Sequence, residues 1–242
     1  MQPSPQDHPL FEGVDSSSVA ALLSTARPRK IRAGQVLSTP DQRPGCFYLL
    51  LAGQLHAYEL GADGRRLILE IVEPGGMDGI LNVASLHGHF TEAFNDSLVL
   101  PISAPELSRL VSAEARIASN LLGMVLRRLE RREQQLDSLV HKDPTLRIAR
   151  QLLALSEYLG DRKENGIALR PRVTHQMLAD MLGVRRETVT LHLQLLTRVK
   201  AVRVVDDRLV LDQKLLRRVL EKDPRLMIRP AAPSRASARA AI

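Results

Sequence analysis

Side chains of several chemical types are concentrated between residues 185 and 198. In a helix, five of them would share one face: Glu187, Thr190, Leu191, Gln194 and Arg198. A carboxylate accepts a hydrogen bond from the cytosine amino group, a hydroxyl donates or accepts, and a guanidinium donates two parallel bonds to guanine. The segment therefore carries groups that match the edges of bases in a DNA groove.

The surrounding residues predict two short helices joined by a tight turn. A hydroxyl at Thr174 can cap the first helix, and Gly183 permits the left-handed conformation that ends it. Apolar residues follow helical spacing in both segments: Leu178, Ala179, Leu182, Val189, Leu193 and Leu196. This pattern is typical of a helix-turn-helix, whose second helix enters the major groove. An ordinary solvated helix pair is the alternative.

Positive charge is concentrated in the same half of the chain. Residues 143–242 contain 20 Lys and Arg against 11 Asp and Glu, a net charge of +9, whereas residues 1–142 contain 14 against 16, a net charge of −2. Because neutralised phosphates supply much of the affinity for DNA, this imbalance indicates double-stranded DNA as a partner. Four residues near the helix ends are candidate phosphate contacts: Thr174, His175, Arg185 and Arg198.

The whole chain is predicted to be α+β. Residues 1–104 predict an antiparallel β-barrel or jelly-roll sensor domain, with a short helix within residues 10–25. Its strands are predicted from apolar runs separated by glycines: residues 46–53, 54–58, 66–72 and 98–102. Residues 143–228 predict a C-terminal winged helix-turn-helix domain with a hairpin around Asp206, and residues 229–242 predict a disordered basic tail.

A single long helix is predicted over residues 105–142, ending at the Asp143-Pro144 break. Alternating steps of three and four residues form a heptad seam along it, which includes Leu122, Leu126, Leu129, Leu136 and Val140. Dense charge on both sides of this narrow apolar stripe favours pairing with the same helix of a second copy over burial in the protein's own core. We therefore expect a homodimer.

This order of parts resembles the CRP-FNR family of bacterial transcription regulators over roughly residues 10–225. LADMLGVRRETVTLHLQLL is similar to the family pattern L-A-x-x-L-G-x-x-R-E-T-V-[ST]-R-x-L-x-x-L. The resemblance implies a homodimer on a near-palindromic DNA site, with RNA polymerase as a further partner. It also implies base-reading roles for Arg186, Glu187 and Thr190. Leu191 stands where the pattern usually has arginine, which predicts a changed base preference at one step of each half-site.

The sensor part departs from the cyclic-nucleotide binders of that family. Those proteins hold the ribose and cyclic phosphate with a Gly-Glu pair and an arginine, whereas Ile80 follows Gly79 here and no arginine lies between Arg66 and Arg109. We therefore expect an effector other than cyclic AMP, or regulation without a ligand. The candidate pocket residues are Met77, Ile80, His87 and His89.

Two other functions remain open at this stage. A haem-based gas sensor would use histidine, methionine or Cys46 as ligands, and a cupin-like metal enzyme would use His56, His87, His89 and Glu92. Neither accounts for the basic C-terminal half, so we expect no enzyme, no metal and no cofactor. Because no secretory signal and no apolar run of roughly 18 residues is present, we expect a cytoplasmic protein without a membrane partner.

Overall fold

The computed structural model describes residues 4–40, 46–79, 89–139, 143–164, 166–170 and 172–221. The chain divides into two compact units, residues 1–133 and 134–242. In chain order, the first unit contains α1 (Ser16–Thr25), β1 (Arg29–Ile31), β2 (Val36–Ser38), β3 (Cys46–Ala52), β4 (Leu55–Leu60), β5 (Arg66–Val72), β6 (Met77–Asp78), β7 (Phe90–Ala93), β8 (Ser97–Ser103) and α2 (Ala104–Ala113). Helix α3 (Ala115–Leu139) follows and extends past the boundary between the units.

The strands of the first unit form two four-stranded sheets with the orders β1-β8-β3-β6 and β2-β7-β4-β5. Neighbouring strands are antiparallel. Both sheets contribute apolar side chains to a shared interior, among them Leu50 of β3, Leu55 of β4 and Val99 of β8. The predicted antiparallel jelly-roll architecture is confirmed.

Alternate residues of β3 face opposite sides of its sheet, as the pleat requires. Tyr48 and Leu50 belong to the interior between the sheets, whereas Leu49 and Leu51 belong to a second apolar cluster with residues of α1, α2 and α3. Burial on both sides explains why this strand is an almost continuous apolar run rather than an alternating one.

The prediction of one helix over residues 105–142 is wrong at its start, because Glu114 interrupts it. Glu114 has extended backbone angles (φ −132°, ψ 98°), and its side chain accepts a hydrogen bond of 2.7 Å from Ser18 Oγ of α1. Leu110 of α2 and Ile117 of α3 are buried in the same apolar cluster. The interruption lets two helices of different direction bury their apolar sides in one core.

The short helix predicted within residues 10–25 is α1. Pro9–Phe11 forms a separate 3-10 turn, and α1 starts only at Ser16. Asp15 precedes it and accepts a hydrogen bond of 2.9 Å from the Ser17 backbone N–H, which is the contact of a helix-capping residue.

The second unit combines helices with a four-stranded sheet in the order β11-β12-β10-β9. Its elements are α4 (Pro144–Tyr158), β9 (Gly160–Lys163), β10 (Gly166–Leu169), α5 (His175–Leu182), α6 (Arg186–Arg198), β11 (Val202–Val205), β12 (Arg208–Leu211) and α7 (Gln213–Leu220). Asp206 and Asp207 adopt positive φ angles of 48° and 63° at the hairpin turn, which is the conformation of a two-residue type I′ turn. The predicted wing is therefore present, and the tail at residues 229–242 lies outside the described residues.

Candidate nucleic-acid interface

Helices α5 and α6 are joined by a tight turn, and backbone groups at the start and end of α5 form hydrogen bonds within the protein. Thr174 Oγ1 accepts a hydrogen bond of 3.1 Å from the Met177 N–H, which caps the start of α5. Gly183 ends α5 with φ 62° and ψ 34°, and the Val184 N–H then donates to the Ala179 carbonyl at 3.1 Å. A residue with a Cβ atom is strained in this left-handed conformation, which explains the glycine.

The orientation of α6 is fixed by its apolar side. Val189, Leu193 and Leu196 are almost completely buried, and α6 packs against α4 and α5. Because residues three and four apart share a helix face, burial of these three side chains turns the opposite side of α6 to solvent.

The predicted base-reading residues lie together on that exposed side. Arg186, Glu187, Leu191 and Gln194 are exposed, and Leu191 retains 45% of its accessible surface. Thr190 is half-buried. The face therefore combines a cation, an acid, an amide and an apolar group within one length of helix.

Thr190 is held by two polar contacts within the protein. Its Oγ1 donates a hydrogen bond of 3.0 Å to the Arg186 carbonyl, and the same oxygen lies 2.9 Å from His175 Nδ1 of α5. Partial burial, together with the positive charge of Arg186, lowers the pKa of His175. His175, a predicted phosphate contact, thus contacts Thr190, a predicted base contact. The sequence did not indicate this pairing.

The remaining predicted phosphate contacts lie at helix ends. Arg185 immediately precedes α6, and Arg198 is its last residue; both are exposed. A further cation near this surface is Arg172, whose guanidinium pairs with the Asp207 carboxylate of the wing turn at 2.7 and 2.8 Å. This pair was not predicted, because it joins residues that are distant in sequence.

His192 has a structural role. Its Nδ1 lies 2.8 Å from Thr145 Oγ1 of α4, so it faces the inside of the second unit rather than the exposed side of α6. Burial lowers the pKa of His192, against the opposing charge of Asp143.

In the first unit, the predicted effector residues are only partly described. Met77 is buried within the apolar cluster, and His89 Nε2 lies 3.4 Å from Asp78 Oδ1. Ile80 and His87 lie outside the described residues. Asp78 is completely buried; burial opposes its ionisation, yet the His89 hydrogen bond and the Arg128 charge hold the pKa of its carboxyl below the usual value.

Glu70 joins the sheet of β5 to helix α3 through three arginines. Its carboxylate lies 2.6 Å from Arg128 Nε, 3.3 Å from Arg132 Nη2 and 3.8 Å from Arg131 Nη2. Arg128 also reaches to 3.9 Å from Asp78. The sequence contained one signal for this cluster, which is a single acid inside the apolar run RLILEIV.

Helix α3 exposes apolar side chains within the part of the chain that belongs to the first unit. Leu122, Leu126 and Leu129 retain 58%, 54% and 54% of their accessible surface. The structure does not test the other two predicted seam positions, because Val140 and the side chain of Leu136 lie outside the described residues. Met124, between the exposed leucines in sequence, is buried in the core of the first unit.

Comparison with known protein families assigns each half of the chain to a domain family. Residues 28–114 match the cyclic nucleotide-binding domain family, and residues 146–219 match the Crp-like helix-turn-helix domain family. The chain belongs to the CRP-FNR family of transcription regulators. Its helix-turn-helix is the DNA-binding element of that family.

Similar proteins include one named as a transcriptional regulator and one named as a cyclic AMP receptor. The CRP-like cAMP-activated global transcriptional regulator of Mycobacterium tuberculosis is 26% identical over 182 residues, which cover 74% of this chain and 81% of that protein. The cyclic AMP receptor protein of Thermus thermophilus is 24% identical over 198 residues, covering 81% of this chain and 88% of that protein.

Solved structures show the same architecture. TTHA1359, a CRP/FNR-family regulator from Thermus thermophilus, is 26% identical with a TM-score of 0.65 and covers 81% of this chain and 98% of its own. A CooA mutant from Carboxydothermus hydrogenoformans shares the fold at 23% identity, with a TM-score of 0.75 and coverage of 90% and 99%. Across the described residues, no helix is both long and apolar enough to cross a membrane.

His56, a candidate ligand in the metal alternatives, is enclosed in the sensor domain of this CRP-FNR chain. Its ring stacks on Phe94 with centroids 4.5 Å apart. Burial, assisted by the positive charge of Arg66, lowers the pKa of His56 to about 4. The described residues contain no group of three or more His, Cys, Asp or Glu placed to hold a metal ion.

Burial of His56 predicts an acid-sensitive sensor domain. Between pH 6.5 and 4 the ring is protonated in the unfolded chain but not in the folded chain. The free energy of unfolding therefore decreases as the pH falls through that window. The contribution lost between pH 7 and 5 is about 2 kcal/mol. Urea unfolding followed by circular dichroism should show that His56→Gln loses about 2 kcal/mol less than the wild type between these pH values; an equal loss would contradict a buried, neutral His56.

Proposed function

We propose that this protein is a homodimeric, cytoplasmic regulator that binds a near-palindromic DNA site through α6. The observation that carries the proposal is the exposed face of α6, where Arg186, Glu187 and Gln194 offer groups able to bond base edges while Val189 and Leu193 fix the helix from behind. The net charge of +9 in residues 143–242 supplies the attraction to phosphates.

The mode of DNA contact follows from the architecture of helix-turn-helix dimers. In such dimers the two second helices occupy successive major grooves, with half-site centres about 34 Å apart. Arg185 and Arg198, at opposite ends of α6, are suited to contact phosphates on either side of the groove. His175 and Thr174, at the start of α5, lie at a helix N-terminus, where backbone N–H groups favour anions.

The proposed dimer interface is the exposed stripe of α3. Leu122, Leu126 and Leu129 follow the spacing of a coiled-coil seam, and each exposes more than half of its surface. The same helix contacts its own sensor domain through Met124 and Arg128. Leu136 and Val140 extend this seam in the sequence, so we include them in the interface.

The charge of the sensor interior supports an effector other than cyclic AMP, or regulation without a ligand. Glu70 and Asp78 are buried carboxylates, and Arg128 and Arg132 are already paired with Glu70. A cyclic phosphate beside these acids would meet like charge, which disfavours its burial. His89, a haem-ligand candidate, has its Nε2 3.4 Å from Asp78 Oδ1, so this nitrogen is not free to bind haem iron.

RNA polymerase is proposed as a further partner, because a family of transcription regulators acts at promoters. Activation and repression are both compatible with this proposal. The mechanism would be a shift in population between sensor states that changes the separation of the two α6 helices in the dimer.

Selection from a random DNA library tests DNA recognition directly. The wild-type protein should enrich a near-palindromic site with half-sites one helical turn apart. Leu191→Arg should add a preference for guanine at one step of each half-site, because arginine bonds guanine O6 and N7, with discrimination of about tenfold to a hundredfold. Failure to enrich any site would overturn the proposed function, and an unchanged site with Leu191→Arg would overturn the role of Leu191.

Dimerisation through α3 is tested by analytical ultracentrifugation. Leu126→Glu removes an apolar side chain from each subunit and places two acids at the seam, which should weaken the dimer at least about a hundredfold. Arg127→Glu is the matched control, since this neighbouring exposed residue lies outside the seam and should leave the dimer intact. Equal effects of both substitutions would argue against the seam.

Titration with cyclic AMP tests the effector proposal. Millimolar cyclic AMP should leave the DNA affinity of this protein unchanged, because Arg128 and Arg132 are already paired with the buried Glu70 carboxylate. The Mycobacterium tuberculosis relative, named as cAMP-activated, serves as the positive control under the same conditions. A tenfold or larger gain in affinity of this protein would refute the proposal.

A further inference from the structure

Thr190 makes two hydrogen bonds with a hydroxyl that has one hydrogen. Its Oγ1 lies 3.0 Å from the Arg186 carbonyl oxygen and 2.9 Å from His175 Nδ1. A carbonyl can only accept, so the hydroxyl hydrogen goes to Arg186. The second contact then requires His175 Nδ1 to carry a hydrogen and donate it to Thr190.

This pairing fixes both side chains. The hydroxyl of Thr190 has no hydrogen left for a base, and its rotamer is set by the bonds to the Arg186 carbonyl and to His175. The methyl group is the part of Thr190 without a polar partner. Leu191, the next residue, is 45% exposed, so two neighbouring positions of the recognition helix offer apolar groups.

Only one base presents an apolar group in the major groove. Thymine carries a methyl at C5, whereas cytosine carries only a hydrogen there, and the purines present N7 and an amino or carbonyl group. A threonine with a free hydroxyl hydrogen can donate to guanine O6 or N7 as readily as it contacts a methyl. Engagement of the hydroxyl removes the first possibility.

We propose that Thr190 and Leu191 recognise thymine methyl groups in each half-site, and that His175 is the positioning residue that holds Thr190 in this orientation. The proposal rests on the proposed function, because it describes how α6 selects its DNA. It adds an apolar centre to a helix whose neighbouring exposed residues, Glu187 and Gln194, are polar.

Deoxyuridine provides the experiment, because it differs from thymidine only by the missing C5 methyl. Using a site selected by the wild-type protein, each thymine of one half-site is replaced in turn by uracil, and the dissociation constants are compared. At least one replacement should weaken binding about fourfold, the effect of one buried methyl group. The loss should be confined to the thymines that contact Thr190 or Leu191.

Two substitutions at Thr190 separate the methyl from the hydroxyl. Thr190→Val replaces the hydroxyl with a second methyl. Because valine in a helix strongly prefers one rotamer, this variant keeps a methyl in place without His175 and should retain the preference for thymine over uracil. Thr190→Ser keeps the hydroxyl and lacks the methyl, so the preference at its thymine should disappear. Leu191→Ala should remove the preference at a neighbouring thymine and leave the first unchanged.

The role of His175 is tested by rescue. Asparagine can place an N–H donor at the same number of bonds from the backbone as Nδ1, whereas phenylalanine keeps a ring and has no donor. His175→Asn should therefore retain the thymine-to-uracil ratio at the Thr190 step, and His175→Phe should reduce it toward one. Loss of a phosphate contact would weaken binding to both duplexes equally and leave this ratio unchanged.

The outcomes distinguish this inference from the proposed function. If the protein selects a DNA site but no thymine in it is sensitive to loss of its methyl, the inference is wrong and DNA recognition stands. If Thr190→Ser keeps the full preference while Thr190→Val loses it, the hydroxyl contacts the base and the assignment is reversed. If His175→Phe keeps the ratio, His175 has no positioning role. If no DNA is bound, the proposed function itself fails.

Discussion

One side of helix α3 packs in the core of the first unit, and another side exposes leucines to solvent. The organisation of the chain depends on both. On one side Ile117 and Met124 are buried in the core of the first unit, and Arg128 pairs with Glu70. On the other side leucines expose more than half of their surface. A helix that served only the fold would place polar residues at those leucine positions. Interruption of the helical backbone at Glu114 lets the preceding helix pack separately, so that α3 keeps its own direction.

The buried carboxylates of the first unit already hold cations that a bound phosphate would require. Breaking a buried ion pair by removing one partner costs several kcal/mol, whereas a complete pair is close to neutral in its net contribution. Glu70 and its arginines therefore specify where α3 lies against the sheet more than they add to stability. Arg128 and Arg132 are thus bound to the domain's own Glu70, in a fold whose cyclic-nucleotide-binding members hold an anion.

Local sequence patterns predicted the features that depend on neighbouring residues. Thr174, Gly183 and the apolar spacing of α5 and α6 define the helix-turn-helix because caps and turns act over a few residues. Strands β3, β5 and β8 were predicted from apolar runs of eight residues or fewer, whereas β6, with two residues, and β9 carry no such run. Glu70 and Arg128 are 58 positions apart, and Thr190 and His175 meet only after two helices cross, so tertiary packing determined both contacts.

The ion pair between Arg172 and Asp207 has a consequence for contact with DNA. Arg172 lies two residues before the cap of α5, the helix that in this motif crosses the DNA backbone. A phosphate that approaches this guanidinium must compete with a carboxylate that already holds it. Such competition would weaken contact with DNA of every sequence alike, because phosphate contacts carry no sequence information.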